Sequence, residues 1–167
     1  MKTPAKKMNI ICAIYPNANG FGFVYMENAR KLIDFGAVRI NPISNRKVLE
    51  RIKKCFNYFR PTLVISLDPD GKSSRVGRRT RKLITKIIAY AESEKLPVVQ
   101  YTRDQIRDVF EGFGKTTKYE IAQFLLNEFT ELEPKRPRAR KLWMSEDRNM
   151  AIFDAFSLGL TWFYLND

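Results

Sequence analysis

The amino-acid sequence predicts an α/β protein built on a mixed five-stranded sheet with helices on both faces. Two strand-like runs, 8–15 and 20–27, are joined by a turn rich in Asn and Gly, and a third run at 31–40 completes an antiparallel meander. Two short apolar runs, at 62–68 and 97–102, are typical of strands buried in a parallel sheet. Several folds satisfy this order of elements.

The helices are predicted from apolar spacing and from capping signals. The segment NRKVLERIKKCFNYF has apolar residues at helical spacing and is followed by a proline two residues on. Residues 74–95 are predicted to form a long basic helix. A further helix begins near Arg103, and another begins at Thr117, where Glu120 completes a capping box. The last helix is predicted to begin at Ser145.

Length and charge bound the class of protein. The chain has 167 residues, 44% of them hydrophobic, so residues 1–167 are predicted to form a single domain with one well-buried core. Its 30 Lys and Arg residues against 18 Asp and Glu give a formal net charge of +12. Such a charge attracts polyanions and releases their counterions on binding. Nucleic acid is therefore the expected partner, and an anionic membrane surface is the weaker alternative.

Cysteine and histidine content limits the chemistry further. Two cysteines and no histidine exclude a disulfide framework and every zinc pattern that needs histidine. The same content indicates a reducing compartment, and we expect a cytoplasmic protein. No apolar stretch approaches the roughly 20 residues that a membrane span needs. Residues 133–141, with two prolines and five basic residues, are predicted to be a mobile loop.

Three carboxylates are candidates for a site at one edge of the sheet. In an open sheet of this order, ligands bind beyond the carboxyl ends of the parallel strands. Asp68 ends the run at 62–68, and Asp147 and Asp154 lie seven residues apart, two turns along one face of the predicted last helix. Ala151 lies between these two and leaves a gap where an ion or a phosphate could approach.

Two of the three carboxylates also have a purely structural explanation. Ser145 is a good N-cap, and an acidic residue such as Asp147 is favoured in the first turn by the helix dipole. Asp68 belongs to DPDG, a common turn sequence. Asp154 differs because it lies in an apolar helix interior, where an unpaired carboxylate is costly to bury. A metal ion, a basic partner or solvent in a cleft must offset its charge.

Three segments carry a resemblance to a known family: AIYPNANGFGF near the start, YTRDQIRDVFEGFGKTTKYEIAQFLL after the fifth strand, and FDAFSLGL in the last helix. Their order and spacing resemble the RuvC-like Holliday junction resolvases of the ribonuclease H-like superfamily, over residues 8–165. The resemblance implies a site in which two Mg²⁺ or Mn²⁺ ions, held by acidic groups, activate water and stabilise the leaving oxygen of a phosphodiester. Mg²⁺ prefers oxygen ligands, which a protein without histidine can supply.

Position by position, the resemblance is uneven. The aspartate that it implies at the end of the first strand falls on Tyr15. The glutamate that it implies on the fourth strand falls on Leu67, with Asp68 just beyond. The aspartate of the last helix falls on Asp154. Because neighbouring residues of a strand alternate between faces, Asp68 replaces Leu67 only if the strand bulges or ends there.

A second aspartate of the last helix is implied at Ala151, and Asp147 is the available substitute. Tyr15 resembles a lost ligand, because a phenol with a pKa of about 10 binds Mg²⁺ poorly, although it can hydrogen-bond to a phosphate oxygen. Alternatively, Tyr15 is an aromatic residue that packs its ring on the core. The predicted catalytic residues and metal ligands are Asp68, Asp147 and Asp154.

Two basic segments are predicted to bind phosphates on either side of this edge. In KSSRVGRRTRK, residues 72–82, six of eleven residues are basic, and four of them fall on one face of the predicted helix. The second segment combines two glycines and a helix start at Thr116 and Thr117 with two lysines. A solvated charged face is the alternative explanation. The predicted nucleic-acid-binding residues are Lys72, Arg75, Arg78, Arg79, Lys82, Lys115 and Lys118.

Three hypotheses about function follow. The first is a RuvC-like protein that binds branched or structured nucleic acid, DNA or RNA, with weak or absent Mg²⁺-dependent cleavage. The second is a catalytically inactive pseudo-nuclease that binds nucleic acid or a protein. The third is a structural subunit whose C-terminal apolar segment, which includes Trp162, Phe163 and Tyr164, contributes to a homodimer. Because phosphate contacts do not specify sequence, we expect recognition of shape.

Overall fold

Five strands form one mixed sheet in the computed structural model, which describes residues 9–72, 75–141 and 143–166. The strands are β1 (Ile11–Asn17), β2 (Gly20–Asn28), β3 (Lys31–Arg39), β4 (Leu63–Asp68) and β5 (Val98–Thr102). They lie in the order β3-β2-β1-β4-β5, with β1, β2 and β3 antiparallel and with β4 parallel to both β1 and β5. The predicted five-stranded sheet is confirmed.

Helices cover both faces of this sheet. They are α1 (Asn45–Phe59), α2 (Arg78–Ser93), α3 (Arg103–Glu111), α4 (Lys118–Glu128) and α5 (Met150–Leu165), and a 3₁₀ helix covers Thr130–Lys135. Side chains of a strand alternate between faces, so Cys12 and Ile14 pack under α1 and α2, whereas Ala13 and Tyr15 pack under α5. The apolar run of β1 is therefore buried on both sides.

Helix α5 lies very close to the sheet because glycines leave room for it. A Cβ atom on Gly22 would lie 1.9 Å from the carbonyl oxygen of Ala151, at the start of α5. Gly22 is the β2 partner of Tyr15 in the antiparallel pair. The close approach therefore places the first turns of α5 directly beside the end of β1. The gap predicted at Ala151 is closed by the backbone of β2.

Two helix starts were predicted correctly and two others wrongly. The capping box of Thr117 and Glu120 begins α4 as predicted, and Thr102 forms a second capping box at the start of α3. Helix α2 begins at Arg78 and not near residue 74. Residue 74 and residue 8, the first of the predicted first strand, lie outside the described residues. Helix α5 begins at Met150 instead of Ser145, because Asp147 is used to fold the preceding loop.

The C-terminal apolar segment packs on the protein's own core. Residues 157–161 are buried, and Trp162, Phe163 and Tyr164 are half-buried against the same cluster. This packing accounts for the apolar character that suggested a dimer surface. Of the predicted loop at 133–141, the first residues belong to the 3₁₀ helix. Within the described ranges, no helix is both long enough and apolar enough to cross a membrane.

Candidate functional site

A buried carboxylate held by two cations lies at the carboxyl edge of the sheet. Asp154 is the one charged residue in the buried class among residues 9–72, 75–141 and 143–166, and its side chain is 6% exposed. Its Oδ2 accepts a hydrogen bond from Lys118 Nζ at 3.1 Å, and its Oδ1 lies 3.9 Å from Arg103 Nη1. A metal ion, a basic partner or solvent was expected to offset the charge of Asp154, and in the structure basic partners do so.

The fold brings this site together from five elements. Tyr15 lies near the end of β1, and Leu67 lies near the end of β4 in the same apolar cluster. Arg103 directly follows β5, and Lys118 is the first residue of α4. Because β1, β4 and β5 are parallel, their carboxyl ends meet at one edge of the sheet, where α5 delivers Asp154.

Tyr15 is a buried member of this cluster, with 8% of its surface exposed. Lys118 Nζ lies 5.6 Å from the centre of its ring, a cation–π contact. Burial raises the pKa of Tyr15, and the charge of Asp154 raises it further, while Lys118 and Arg103 oppose the rise. Tyr15 is therefore a neutral phenol at neutral pH and supplies no negative charge to a metal ion.

Lys118 connects the buried cluster to the surface. Burial by itself lowers the pKa of Lys118, but interactions with Asp154, Tyr15 and Glu146 more than offset this, and the pKa is raised. Its Nζ also lies 3.5 Å from Glu146 Oε2. Lys118 therefore stays charged across the physiological range.

Asp147 belongs to a loop and not to α5, which corrects the prediction that it shares a helix face with Asp154. Its Oδ2 accepts hydrogen bonds from the backbone N–H of Arg138 at 3.0 Å and from Arg138 Nε at 3.3 Å. Its Oδ1 accepts one from the backbone N–H of Asn149. Burial raises the pKa of Asp147, but these hydrogen bonds outweigh it, and the pKa is lowered. Asp147 thus closes the loop between 138 and 149.

Asp68 folds a turn. Its Oδ1 accepts a hydrogen bond from the backbone N–H of Asp70 at 2.9 Å, and Arg81 fixes the same turn through Asp70 at 2.7 Å. The pairing of β4 with β5 runs through Leu67 and Asp68 without a register shift. With no bulge in this pairing, alternation directs Asp68 away from the face that carries Leu67.

The residues present do not fit a two-metal site. Within the part of the chain that the structure describes, no group of three Asp, Glu, Cys or His side chains is arranged to hold a metal ion. The three carboxylates predicted to converge have separate partners, and Tyr15 and Leu67 supply no charge. The two cations beside Asp154 would also repel a divalent cation.

A cavity of about 550 Å³ opens beside this cluster. The ends of β1 and β4, the segment before α2, and the starts of α3 and α4 form its walls. No acidic residue of the described ranges lines it. Four cations do: Arg75, Arg103, Arg107 and Lys118.

The structure divides the predicted basic residues into two groups. Arg79 is turned inward, where it donates hydrogen bonds to Asn45 Oδ1 at 2.7 Å and to the carbonyl oxygen of Asn17 at 2.8 Å. This corrects its predicted place on a free basic face, because its guanidinium links α2 to α1 and β1. Arg75 precedes α2 and is not part of a helical face. Lys72, Arg75, Arg78 and Lys82 are exposed, and Lys115 and Lys118 are half-buried.

Sequence reasoning missed Arg103 and Arg107. Both lie in a segment that was used for a helix start and for the family resemblance, with no role given to its arginines, although Arg103 immediately follows the last residue of β5. A basic residue directly after a parallel strand lies at the edge where ligands bind, which is the signal that could have found it. Arg107 is one turn further along α3 and pairs with Asp104 at 2.9 Å.

The fold is shared with solved structures although the sequence is not. No protein-family model matches the chain, and no curated protein matches it. The structure titled "T. thermophilus RuvC in complex with Holliday junction substrate" is similar with a TM-score of 0.66 and 17% identity over 94% of both chains. Thermus thermophilus RuvC in a second structure gives 0.65 and 18%, covering 93% of this chain and 95% of that one.

A viral protein is similar to the chain in the same way, with a lower TM-score. Fowlpox virus resolvase, solved with Holliday junction DNA, gives a TM-score of 0.53 with 16% identity, covering 93% of this chain and 99% of that one. The sheet order and the helix arrangement therefore define a ribonuclease H-like fold. Within that class, this chain has the fold of the RuvC-like Holliday junction resolvases.

Proposed function

We propose that the protein binds branched or structured DNA at the cationic edge of its sheet, with weak or absent Mg²⁺-dependent cleavage. One observation carries this proposal: Asp154, the carboxylate that the resemblance retains, is paired with Lys118 and Arg103. Cleavage by two metal ions needs carboxylates free to coordinate them. Here the carboxylate is already neutralised by the protein itself.

The choice of DNA as the partner rests on fold and charge together. Two proteins of the same fold were solved with Holliday junction DNA. The net charge of +12 favours a polyanion. Arg75, Arg78 and Lys82 are exposed, and Arg75 lines the cavity. Their contacts would be to phosphates, which position a nucleic acid by its shape and not by its sequence.

The pseudo-nuclease alternative has a specific observation in its favour. Tyr15 and Leu67 are buried in an apolar cluster with well-defined neighbours, so neither is a ligand displaced from a site that is otherwise intact. Complete loss of cleavage is the simplest consequence. A protein partner instead of DNA would need an acidic surface to match the cationic edge.

The test uses one protein preparation and two labelled substrates, a four-way junction and a linear duplex of the same sequence. Fluorescence anisotropy over a range of salt concentrations should show tighter binding of the junction, with affinity falling steeply as salt rises. Incubation of the junction with Mg²⁺ or Mn²⁺ should give little or no product on denaturing gels. Asp154→Asn is the control for any cleavage observed.

Two outcomes would overturn the proposal. Equal affinity for junction and duplex would remove the recognition of branched shape. Robust cleavage by the unmodified protein, lost in Asp154→Asn, would show that the remaining carboxylates support catalysis in spite of their cationic partners.

A further inference from the structure

The cavity beside Asp154 is lined by both cationic and apolar side chains. Besides its four cations, it is lined by the hydroxyl-bearing residues Thr80, Thr116 and Thr117 and by apolar residues that include Pro16 and Val76. Its volume of about 550 Å³ is typical of sites that hold a molecule of nucleotide size. A phosphate with an attached sugar matches this combination of cationic and apolar side chains.

Two of the cations share a single carboxylate. Lys118 and Arg103 both approach Asp154, at 3.1 and 3.9 Å, and Lys118 has a second, longer contact to Glu146. At 3.9 Å, Arg103 Nη1 is too far from Asp154 for a hydrogen bond, and it is a buried nitrogen without a hydrogen-bond partner in the described chain. Arg103, which also interacts with Tyr15, therefore lines the cavity with one of its donors unused.

The rest of the cavity wall adds positive potential. Arg107 is offset by Asp104, whereas Arg75 takes part in no ion pair among the residues that the structure describes. Helix α2 begins beside the cavity at Gly77, with no acidic residue in its first turn and no side-chain cap from the described residues. The positive end of its dipole adds to the cations. Together the cations lining the cavity exceed their carboxylate partners.

We propose that this cavity holds one backbone phosphate of a nucleic-acid strand directly, without a divalent ion. This inference rests on the proposed function and adds to it how the phosphate is held. Arg103 and Lys118 contact the phosphate oxygens and supply the positive charge that metal ions would otherwise supply. Guanidinium groups suit this role because their planar donors match phosphate oxygens. Asp154 is a positioning residue, since it acts only by orienting the two cations.

The experiment compares Arg103→Gln with Arg46→Gln, a matched loss of charge on the exposed surface of α1. Affinity for a four-way junction is measured by anisotropy in EDTA and in Mg²⁺ at equal ionic strength. The unmodified protein should bind equally well in both. Arg103→Gln should weaken binding about tenfold, as expected for loss of a charge-assisted hydrogen bond, and lower the salt slope by about 0.9. Arg46→Gln should change neither value appreciably.

Two further measurements separate the possible failures. Arg103→Lys should recover part of the affinity, and thermal unfolding should show that each variant is folded. The dinucleotide dTpdT, which carries a single phosphodiester, should raise the Tm of the unmodified protein but not that of Arg103→Gln. The same measurement with inorganic phosphate and with a mononucleotide tests whether an isolated phosphate is enough for stabilisation.

The outcomes are distinct. Junction binding that is the same in Arg103→Gln and Arg46→Gln would overturn the inference and leave the proposed function intact. Junction binding that appears only with Mg²⁺ would also overturn it, because a metal ion would then be holding the phosphate. If the junction does not bind at all, the proposed function fails, and the dTpdT shift alone decides whether the cavity is a phosphate site. Stabilisation by inorganic phosphate as strong as that by dTpdT would contradict the assignment to a nucleic-acid strand.

Discussion

Helices cover both faces of the sheet, but the side chains buried on the two faces differ in chemistry. Under α1 and α2, the buried surface is built from residues such as Ile52 and Leu83, and no charged side chain of the described chain is buried there. Under α5, a core of similar kind contains Asp154 at one end. We infer from this difference that the buried α1 and α2 face serves stability, whereas the α5 face carries a charge that stability does not require.

A buried ion pair is a poor way to stabilise a fold. Removing charges from water costs free energy that their attraction only partly returns, and apolar side chains of similar size often do as well or better. The cluster of Asp154, Lys118 and Arg103 is thus better explained by what it presents to the cavity than by its contribution to folding. The predictions below test this contrast between the faces.

The largest effect on stability is expected on the apolar face. Ile52→Ala should lower the free energy of unfolding by about 2–5 kcal/mol, because it removes a fully buried side chain and leaves a cavity. Urea denaturation measures the change. Affinity for a four-way junction, measured where the variant is folded, should be unchanged. A large loss of affinity in the folded variant would show that this face also takes part in binding.

A smaller effect is expected for the buried charge. Asp154→Asn should lower the free energy of unfolding by about 2–3 kcal/mol, below the full cost of breaking a buried pair, because Lys118 is 34% exposed and can reach water. The double variant with Lys118→Met should be less destabilised than the two single changes combined. Strictly additive values from urea denaturation would show that the pair is not coupled, contrary to the distances.

The basic residues should likewise divide into those that bind the junction and those that stabilise the fold. Arg75→Ala combined with Arg78→Ala should flatten the salt dependence of junction binding by about 1.8, near 0.9 for each lost phosphate contact. Arg79→Ala is the matched control: it should lower stability, because it breaks the links to Asn45 and Asn17, and leave the slope unchanged. Anisotropy titrations at several salt concentrations decide this, and a flattened slope in Arg79→Ala alone would reverse the assignment.

The smallest effect concerns pH and the loop closed by Asp147. The pKa of Asp147 is lowered in the folded protein from its ordinary value of 3.8, so its contribution is fully present above pH 3.8 and is lost as pH falls through the folded value. Its partner Arg138 is 76% exposed, so the contribution should be no more than about 1 kcal/mol. Asp147→Asn should remove this part of the acid sensitivity, measured by urea denaturation from neutral to acidic pH. An identical pH dependence in both proteins would exclude this role.

Much of the fold was predictable because it depends on local patterns. Apolar runs, the Asn- and Gly-rich turn and the capping box at Thr117 act over a few residues, and they placed every strand and most helices. The start of α5 was predicted wrongly because a residue such as Asp147 can lie in the first turn of a helix or fold a loop. The choice depends on Arg138, whose position no local pattern reveals.

The candidate site was predictable only in part. Asp154 was identified as a carboxylate that needs a partner, and Lys118 was identified as a basic residue at a helix start. Their pairing across 36 residues of sequence depends on how α4 and α5 pack, as does the approach of Arg103. The metal site at Asp68, Asp147 and Asp154 stays a prediction, and the helix start that it assumed for Asp147 is not the one that the fold provides.

The most direct test of the account is a titration of the protein with Mn²⁺ by isothermal calorimetry, with and without a bound four-way junction. The account predicts no saturable binding to the protein in either case, once the heat of Mn²⁺ binding to the junction alone is subtracted, because Lys118 and Arg103 already neutralise Asp154. Saturable Mn²⁺ binding that disappears in Asp154→Asn would contradict it, since Asp154 would then be a metal ligand.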